Sequence, residues 1–354
     1  MTRSKDFDFV GLFLWVFRAV ILILIVWGTY ATIADNPYET RTWVDFIIFG
    51  LAQGSMYALI AIGYTLVYGV LFMINFAHGE FFMAGILTTT VVITTPLSES
   101  GFLNEQPILS LLIIAISSMA VSIFISVLTE RIAYRPLRKA PRLVPLITAI
   151  GASYFWQNYF RGLFGSGIKP IPQIEILDGT IPLDFLGTTM LKSHVLVIVT
   201  TIVMLIALNF FIMKTKTGKA IRAVAEDKDV ANLMGINVDQ TISITFATGA
   251  AMAGIAGVLY SLVFRQVHFF MGFIPGIKAF TAAVLGGIGS LPGAAVGGLL
   301  LGMFESVGPS LFLRGLGIPA FNQLKDVIAF TMLVMVLIFR PQGIVGEVLS
   351  EKKA

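Results

Sequence analysis

The sequence predicts an all-α polytopic integral membrane protein, and three observations carry that prediction. The 354 residues are 56% hydrophobic and only 12% charged, whereas a soluble domain carries about 25% charged residues. Too few polar side chains remain to cover a globule of this size. The mean hydropathy of +0.88 is concentrated in runs that approach or exceed the about 20 residues a helix needs to cross hydrocarbon. Finally, these runs lack the period-two alternation of an outer-membrane barrel strand, and 34 Gly with 29 Phe suit closely packed helices. Soluble enzyme folds, nucleic-acid binders and disordered scaffolds are thereby excluded. The absence of cysteine removes disulfides, thiolate metal sites and Cys nucleophiles.

The first apolar run, 9–34, comes after Arg3 and Lys5 and ends Thr32-Ile33-Ala34, the outline of a signal peptide. Arg18 inside the run argues otherwise, because a charge there costs about 2.5–3.5 kcal/mol on insertion scales. The run reads as a retained anchor helix outside the core. Runs 44–70, 76–95, 108–128, 143–164, 194–213, 241–264 and 323–339 read as core spans. The stretch 276–304 is broken by Gly286, Gly287, Gly289, Pro292 and Gly293. It reads as two short segments, 277–285 and 294–304, entering and leaving on one face as a re-entrant hairpin, for about eight core helices in all. Such backbone is tolerated at depth only inside protein or beside a watery cavity. A single tilted helix, placing the C-terminus outside, is the alternative.

Basic residues are segregated. The loop 129–142 holds Arg131, Arg135, Arg138, Lys139 and Arg142 against Glu130, and the loop 214–240 holds Lys214, Lys216, Lys219, Arg222 and Lys228. Loops 96–107 and 165–193 are acidic or balanced. Excess Lys and Arg mark cytoplasmic loops, so both basic loops face the cytoplasm, and so do both termini.

Glycine spacing marks close helix packing: Gly50 with Gly54, Gly293 with Gly297, and Gly298 with Gly302, plus the run holding Gly254 and Gly257. The spacing does not say whether the partner helix lies in this chain or in a second subunit. Asn75, His78 and Glu80 fall within six positions between two apolar runs. Polar groups in such a setting are costly and mark pathways. The competing reading is a helix cap, with Asn75 before the helix and Glu80 at its positive end. Three histidines in the whole chain disfavour a metal site.

The segment Gly50-Leu51-Ala52-Gln53-Gly54-Ser55-Met56-Tyr57-Ala58 through Tyr64-Thr65-Leu66-Val67-Tyr68-Gly69, and then Ile74-Asn75-Phe76-Ala77-His78-Gly79-Glu80, resembles the first core span of the bacterial branched-chain amino-acid ABC-transporter permeases of LivH type. Glu130-Arg131-Ile132-Ala133-Tyr134-Arg135-Pro136-Leu137-Arg138, Ala279-Phe280 through Pro292-Gly293-Ala294, and Arg340-Pro341-Gln342-Gly343 extend the resemblance over about 44–346. Residues 1–43 are an extension beyond that core, and 347–354 form a short tail.

The loop 214–240 is too charged to span and too ordered for a linker. Ile221, Val224, Ala225, Leu233 and Met234 give it an apolar face, and Gly235 is a natural stop. Gly218, Arg222, Ala225, Glu226, Asp227, Ala231 and Gly235 resemble the coupling loop of ABC importers, in which small residues allow close docking and charges set register. A basic segment on anionic lipid leaves Glu226, Asp227 and Asp229 unexplained. Gly218-Lys219 lacks both the upstream Gly, where Met213 stands, and the downstream Ser/Thr of a phosphate loop, so ATP hydrolysis belongs to another chain.

The resemblance implies a non-catalytic permease subunit of the bacterial inner membrane with no cofactor of its own. Its partners would be a second homologous permease, two cytoplasmic ATPases that bind ATP, a solute-binding protein and the lipid bilayer, but no nucleic acid. Branched-chain or other apolar amino acids are the implied cargo. Urea or short amides remain open, as do an autonomous channel or an intramembrane enzyme.

Overall fold

Uninterrupted apolar runs can satisfy their backbone in lipid only as helices, and the computed structural model is built from them. It describes residues 9–345 apart from 139, 142, 185, 186 and 341. Arg3, Lys5, Lys139 and Arg142, and the tail 347–354 with its Lys352 and Lys353, lie outside the described residues.

In chain order the helices are α1 (Phe9–Asp35), α2 (Thr40–Leu71), α3 (His78–Thr89), α4 (Thr95–Glu99), α5 (Phe102–Glu105), α6 (Pro107–Thr129), α7 (Leu143–Phe164), α8 (Lys192–Lys214), α9 (Lys216–Glu226), α10 (Lys228–Leu233), α11 (Val238–Phe264), α12 (Phe273–Gly286), α13 (Leu291–Gly308) and α14 (Lys325–Phe339). Single π-helical turns continue α3, α6 and α13 over Thr90–Thr94, Glu130–Tyr134 and Pro309–Leu313. Two small antiparallel pairs sit together at one end: β1 (Lys169–Pro170) with β4 (Gln266–Val267), and β2 (Thr180–Leu183) with β3 (Thr188–Leu191). Among the described residues eight helices are long and apolar enough to cross a membrane. The 22-residue α7 matches the expected 143–164 but carries Gln157, Asn158 and Arg161, which make it too polar to qualify on hydropathy.

The buried core is α2 with α11, α13 and α3 around it; α2 is buried from Ala52 through Val67 without a break. Long helices approach this closely only where side chains are small. Gly50 faces Met303 and Ser306, Gly54 faces Leu299, Gly298 packs on Ala58, and Gly302 packs on Gly54, so α13 runs antiparallel along α2. Gly254 meets α6 at Met119, Gly257 meets α3 at Ile86, and Gly293 and Gly297 meet α12 at Gly286 and Ala282. All these glycines therefore pack within the chain. A Cβ on Gly254 would lie 2.8 Å from Ser122 Oγ and 2.9 Å from Met119 Cα. Gly254→Ala is expected to cost about 1–3 kcal/mol through overpacking, read as a lower thermal midpoint of the detergent-purified protein.

The glycine-rich stretch breaks where the sequence placed it, at 287–290, where Gly287 and Gly289 adopt φ of +109° and +101°, values natural only to glycine. Its arms differ from the expected pair of short segments. α12 has 14 residues, but α13 continues through its π turn to Leu316 and is itself a full span. The chain descends from the end of α11 through 265–272 before α12 begins, and the tip 287–290 lies toward the end at which α2 finishes. The turn Arg340–Gly343 docks there, with Ile344 and Val345 N–H donating to Leu285 and Gly286 carbonyls at 2.9 Å. The physical reason is Pro292 and Ser290: Pro suits the first helical turn and Ser290 Oγ accepts from Gly293 N–H at 3.2 Å, nucleating a new helix.

The N-terminal helix lies against the outer part of α13 and α14. Gly28 abuts Phe312 and Gly315, and the Arg18 guanidinium stacks 3.6 Å above the Phe339 ring. That cation–π contact offsets the charge inside an apolar helix.

Candidate functional site

α3 does not begin at the end of the bundle. After α2 ends at Leu71, Phe72 turns left-handed (φ +54°) and the chain climbs back, so that His78 nests against Gly63 and makes a ring contact of 4.8 Å with Tyr64. Gly63 precedes Leu71 by eight residues, or about 12 Å of helix. The first turn of α3 therefore sits inside the bundle. Gly79 packs backbone to backbone on Gly272 and Gly276, which places the start of α12 against it.

Asn75, His78 and Glu80 are each 1% exposed and address three different helices. Asn75 Oδ1 accepts from Tyr134 O–H of α6's π turn at 2.6 Å and from Ala77 N–H at 3.1 Å. It orders the loop before the helix, and no side chain caps α3 itself. His78 faces α2. Glu80 Oε1 accepts from Gln157 Nε2 at 2.7 Å and Ser153 Oγ at 3.0 Å, both on α7, whereas its Oε2 is buried without a hydrogen-bond partner. The three side chains do not converge on one point or face an open channel in this conformation.

The loop 214–240 folds as two short helices. Thr215 Oγ1 accepts from Gly218 N–H at 3.0 Å and opens α9; Asp227 Oδ1 accepts from Asp229 and Val230 N–H, both at 2.9 Å, and opens α10. These are ordinary N-terminal caps. Ile221, Val224 and Ala231 are buried against the bundle, and Gly218 packs on the carbonyls of Phe211 and Ile212. Gly218 and Ala231 thus pack the two short helices on their own chain. Arg222, Glu226, Asp227 and Gly235 are exposed, and Ala225 is half-buried. Leu233 and Met234, which the apolar pattern groups with Ile221, Val224 and Ala225, are 85% and 78% exposed, with Val230 beside them. Gly235 takes φ +82° and turns the chain into α11. Lys228 lies 5.9 Å from the Phe72 ring, and burial together with Arg138 nearby holds its ammonium below the usual lysine range.

Two polar networks join residues whose pairing the sequence motifs do not reveal. In one, Lys278 Nζ of α12 lies 2.9 Å from Glu305 Oε1 and 2.6 Å from Asp326 Oδ1, while Gln53 Nε2 and Tyr57 O–H donate to Glu305 Oε2 at 2.8 and 2.9 Å. In the other, Arg138 bridges the buried Glu130 and Asp239, Arg135 holds Asp239 at 2.7 Å, and Ser243 Oγ donates to Glu130 at 2.7 Å. The signal was present: Lys278 and Glu305 interrupt apolar runs as Glu80 does, and the rule that flags intramembrane charges applies equally to them. Among the described residues no group of three metal-ligating side chains occurs.

The family described as "Branched-chain amino acid transport system / permease component" matches residues 46–337. The chain is 44% identical over 317 residues to the high-affinity branched-chain amino acid transport system permease protein BraD of Pseudomonas aeruginosa, covering 89% of this chain and 99% of that one. It is 42% identical over 310 residues to the corresponding permease LivH of Escherichia coli K12, covering 86% and 95%. More distantly, it is 26% identical over 340 residues to the autoinducer 2 import system permease LsrC of Yersinia pestis, covering 91% and 83%. With its helical bundle, its glycine-packed core and these relatives, the chain belongs to the family of permease components of branched-chain amino acid transport systems.

Proposed function

We propose that this chain is the gate of an ATP-driven importer for amino acids with branched or other apolar side chains. A second, homologous permease completes the path, two ATPases sit at the lever end, and a solute-binding protein delivers cargo at the opposite end. The lever end is cytoplasmic, as are both termini, and the membrane is the bacterial inner membrane. One observation carries this reading: α9–α10 is anchored to the bundle by Ile221, Val224 and Ala231 while presenting Val230, Leu233 and Met234 to the outside, rimmed by Glu226, Asp227 and Asp229. An apolar tip with a charged rim is the composition of a protein interface, and α11, the next helix in the chain, carries any displacement of the tip into the bundle. A ligand or nucleotide state shifts such a bundle only by differential contacts with its two conformations.

The test is reconstitution with the ATPases, the second permease and the binding protein in vesicles. ATP-dependent uptake of leucine, isoleucine and valine is expected, with urea, glutamate and lysine left out. Flux through this chain alone without ATP, or transport of urea in place of leucine, overturns the reading. A Met234→Cys variant should be labelled only from the ATPase side.

A further inference from the structure

We propose that Arg138, Glu130, Tyr134 and Asn75 form the linkage through which movement of the α9–α10 lever reaches the start of α3. This deepens the importer reading and rests on it.

The path is continuous. Gly235 and the short turn behind it join the lever to α11, whose N-terminal turn carries Asp239. Asp239 is held by Arg135 and Arg138, and Arg138 reaches on to Glu130. Glu130 is fully buried, and its second oxygen is held by Ser243, one turn further along α11. A fully buried carboxylate so enclosed between a guanidinium and a hydroxyl loses its pairing if α11 moves without it. Glu130 opens the π turn that ends at Tyr134. Tyr134 is buried with its ring 5.7 Å from Phe246 of α11, and its hydroxyl donates to Asn75 at 2.6 Å. Asn75 in turn fixes Ala77 N–H, and so the position from which His78 and Glu80 project.

In this linkage the π turn takes the part of the two-state element. It holds one residue more than an α-helical turn. Passing that residue along the helix rotates the downstream residues by about 100°, the angle per residue of an α-helix. Tyr134 then either reaches Asn75 or turns away. The linkage thus supplies the two discrete arrangements that transmitted coupling requires.

Tyr134→Phe removes one hydroxyl and keeps the ring on Phe246. In the assembled importer we expect complex yield and basal ATP hydrolysis within about two-fold of the parent, while ATP-driven uptake falls roughly ten-fold. ATP hydrolysed per substrate moved rises accordingly. Arg138→Lys, which keeps the charge but not the planar fork, should act in the same direction. Tyr134→Phe combined with Asn75→Ala should be no worse than the poorer single variant. Uptake in Tyr134→Phe within about two-fold of the parent overturns the linkage alone. Parallel loss of assembly, hydrolysis and uptake in Tyr134→Phe and Arg138→Lys also overturns it, in favour of a static brace. ATP-independent uptake by the parent complex overturns linkage and importer together.

Discussion

Lys278→Met is expected to cost this protein about 3–5 kcal/mol, the usual penalty for removing one partner of a buried ion pair. The Lys278 ammonium is 4% exposed and lies between Glu305, which is fully buried, and Asp326, which is 44% exposed. Without it Glu305 keeps its hydrogen bonds from Gln53 and Tyr57 but holds an uncompensated charge in an apolar bundle. Asp326 can still reach solvent, so the damage concentrates on Glu305. Because the network joins α2, α12, α13 and α14, loss should appear as poor accumulation in membranes and a lower unfolding temperature after purification. Lys278→Met combined with Glu305→Gln should recover much of that loss, since no charge is then left unpaired. Equal destabilisation of the single and double variants would show that packing, and not pairing, is what the position supplies.

Leu233→Asp with Met234→Asp should abolish uptake and leave the bundle intact. Both side chains are almost fully exposed, at 85% and 78%, so neither contributes to packing within the chain, and the thermal midpoint should stay near the parent value. If they fill a pocket in the ATPase, truncating central apolar contacts of this kind costs about 2 kcal/mol or more each. Two of them correspond to a loss of affinity of roughly a thousand-fold. Co-purification of the ATPases and ATP-driven uptake are the measurements. Full retention of both would place the coupling surface elsewhere on the chain. Ile221→Asp is the informative contrast, because Ile221 is buried beneath the lever and its loss should disturb folding as well as coupling.

The two experiments separate what the chain needs to stand from what it needs to be driven. They also mark how far the residues can be read in one dimension. The spans were legible because hydropathy and helix length are local quantities; the sequence spans 143–164 and 194–213 differ from α7 and α8 by at most two residues at either end. The break after Gly286 was legible from Gly and Pro alone. The loop 214–240 showed its helical character through spacing, whereas its caps, Thr215 and Asp227, emerged only in the structure. The spacing grouped Leu233 and Met234 with Ile221 and Val224, and only the structure separated the exposed pair from the buried one.

By itself the sequence determined the solvent this protein lives in, the order of its apolar runs, and the presence of a charged helical segment between two of them. Each comes from side-chain transfer energies summed over a window of neighbours. Only the tertiary structure decided which partner each buried charge would have. Gln53 meets Glu305 across 252 positions, and Tyr134 meets Asn75 across 59. No local pattern encodes such pairs, since they depend on which helix faces come to lie together in three dimensions. The same holds for Asn75, His78 and Glu80: within six positions of the chain, they are sent to α6, α2 and α7 by the loop before α3 and by the pitch of its first turn.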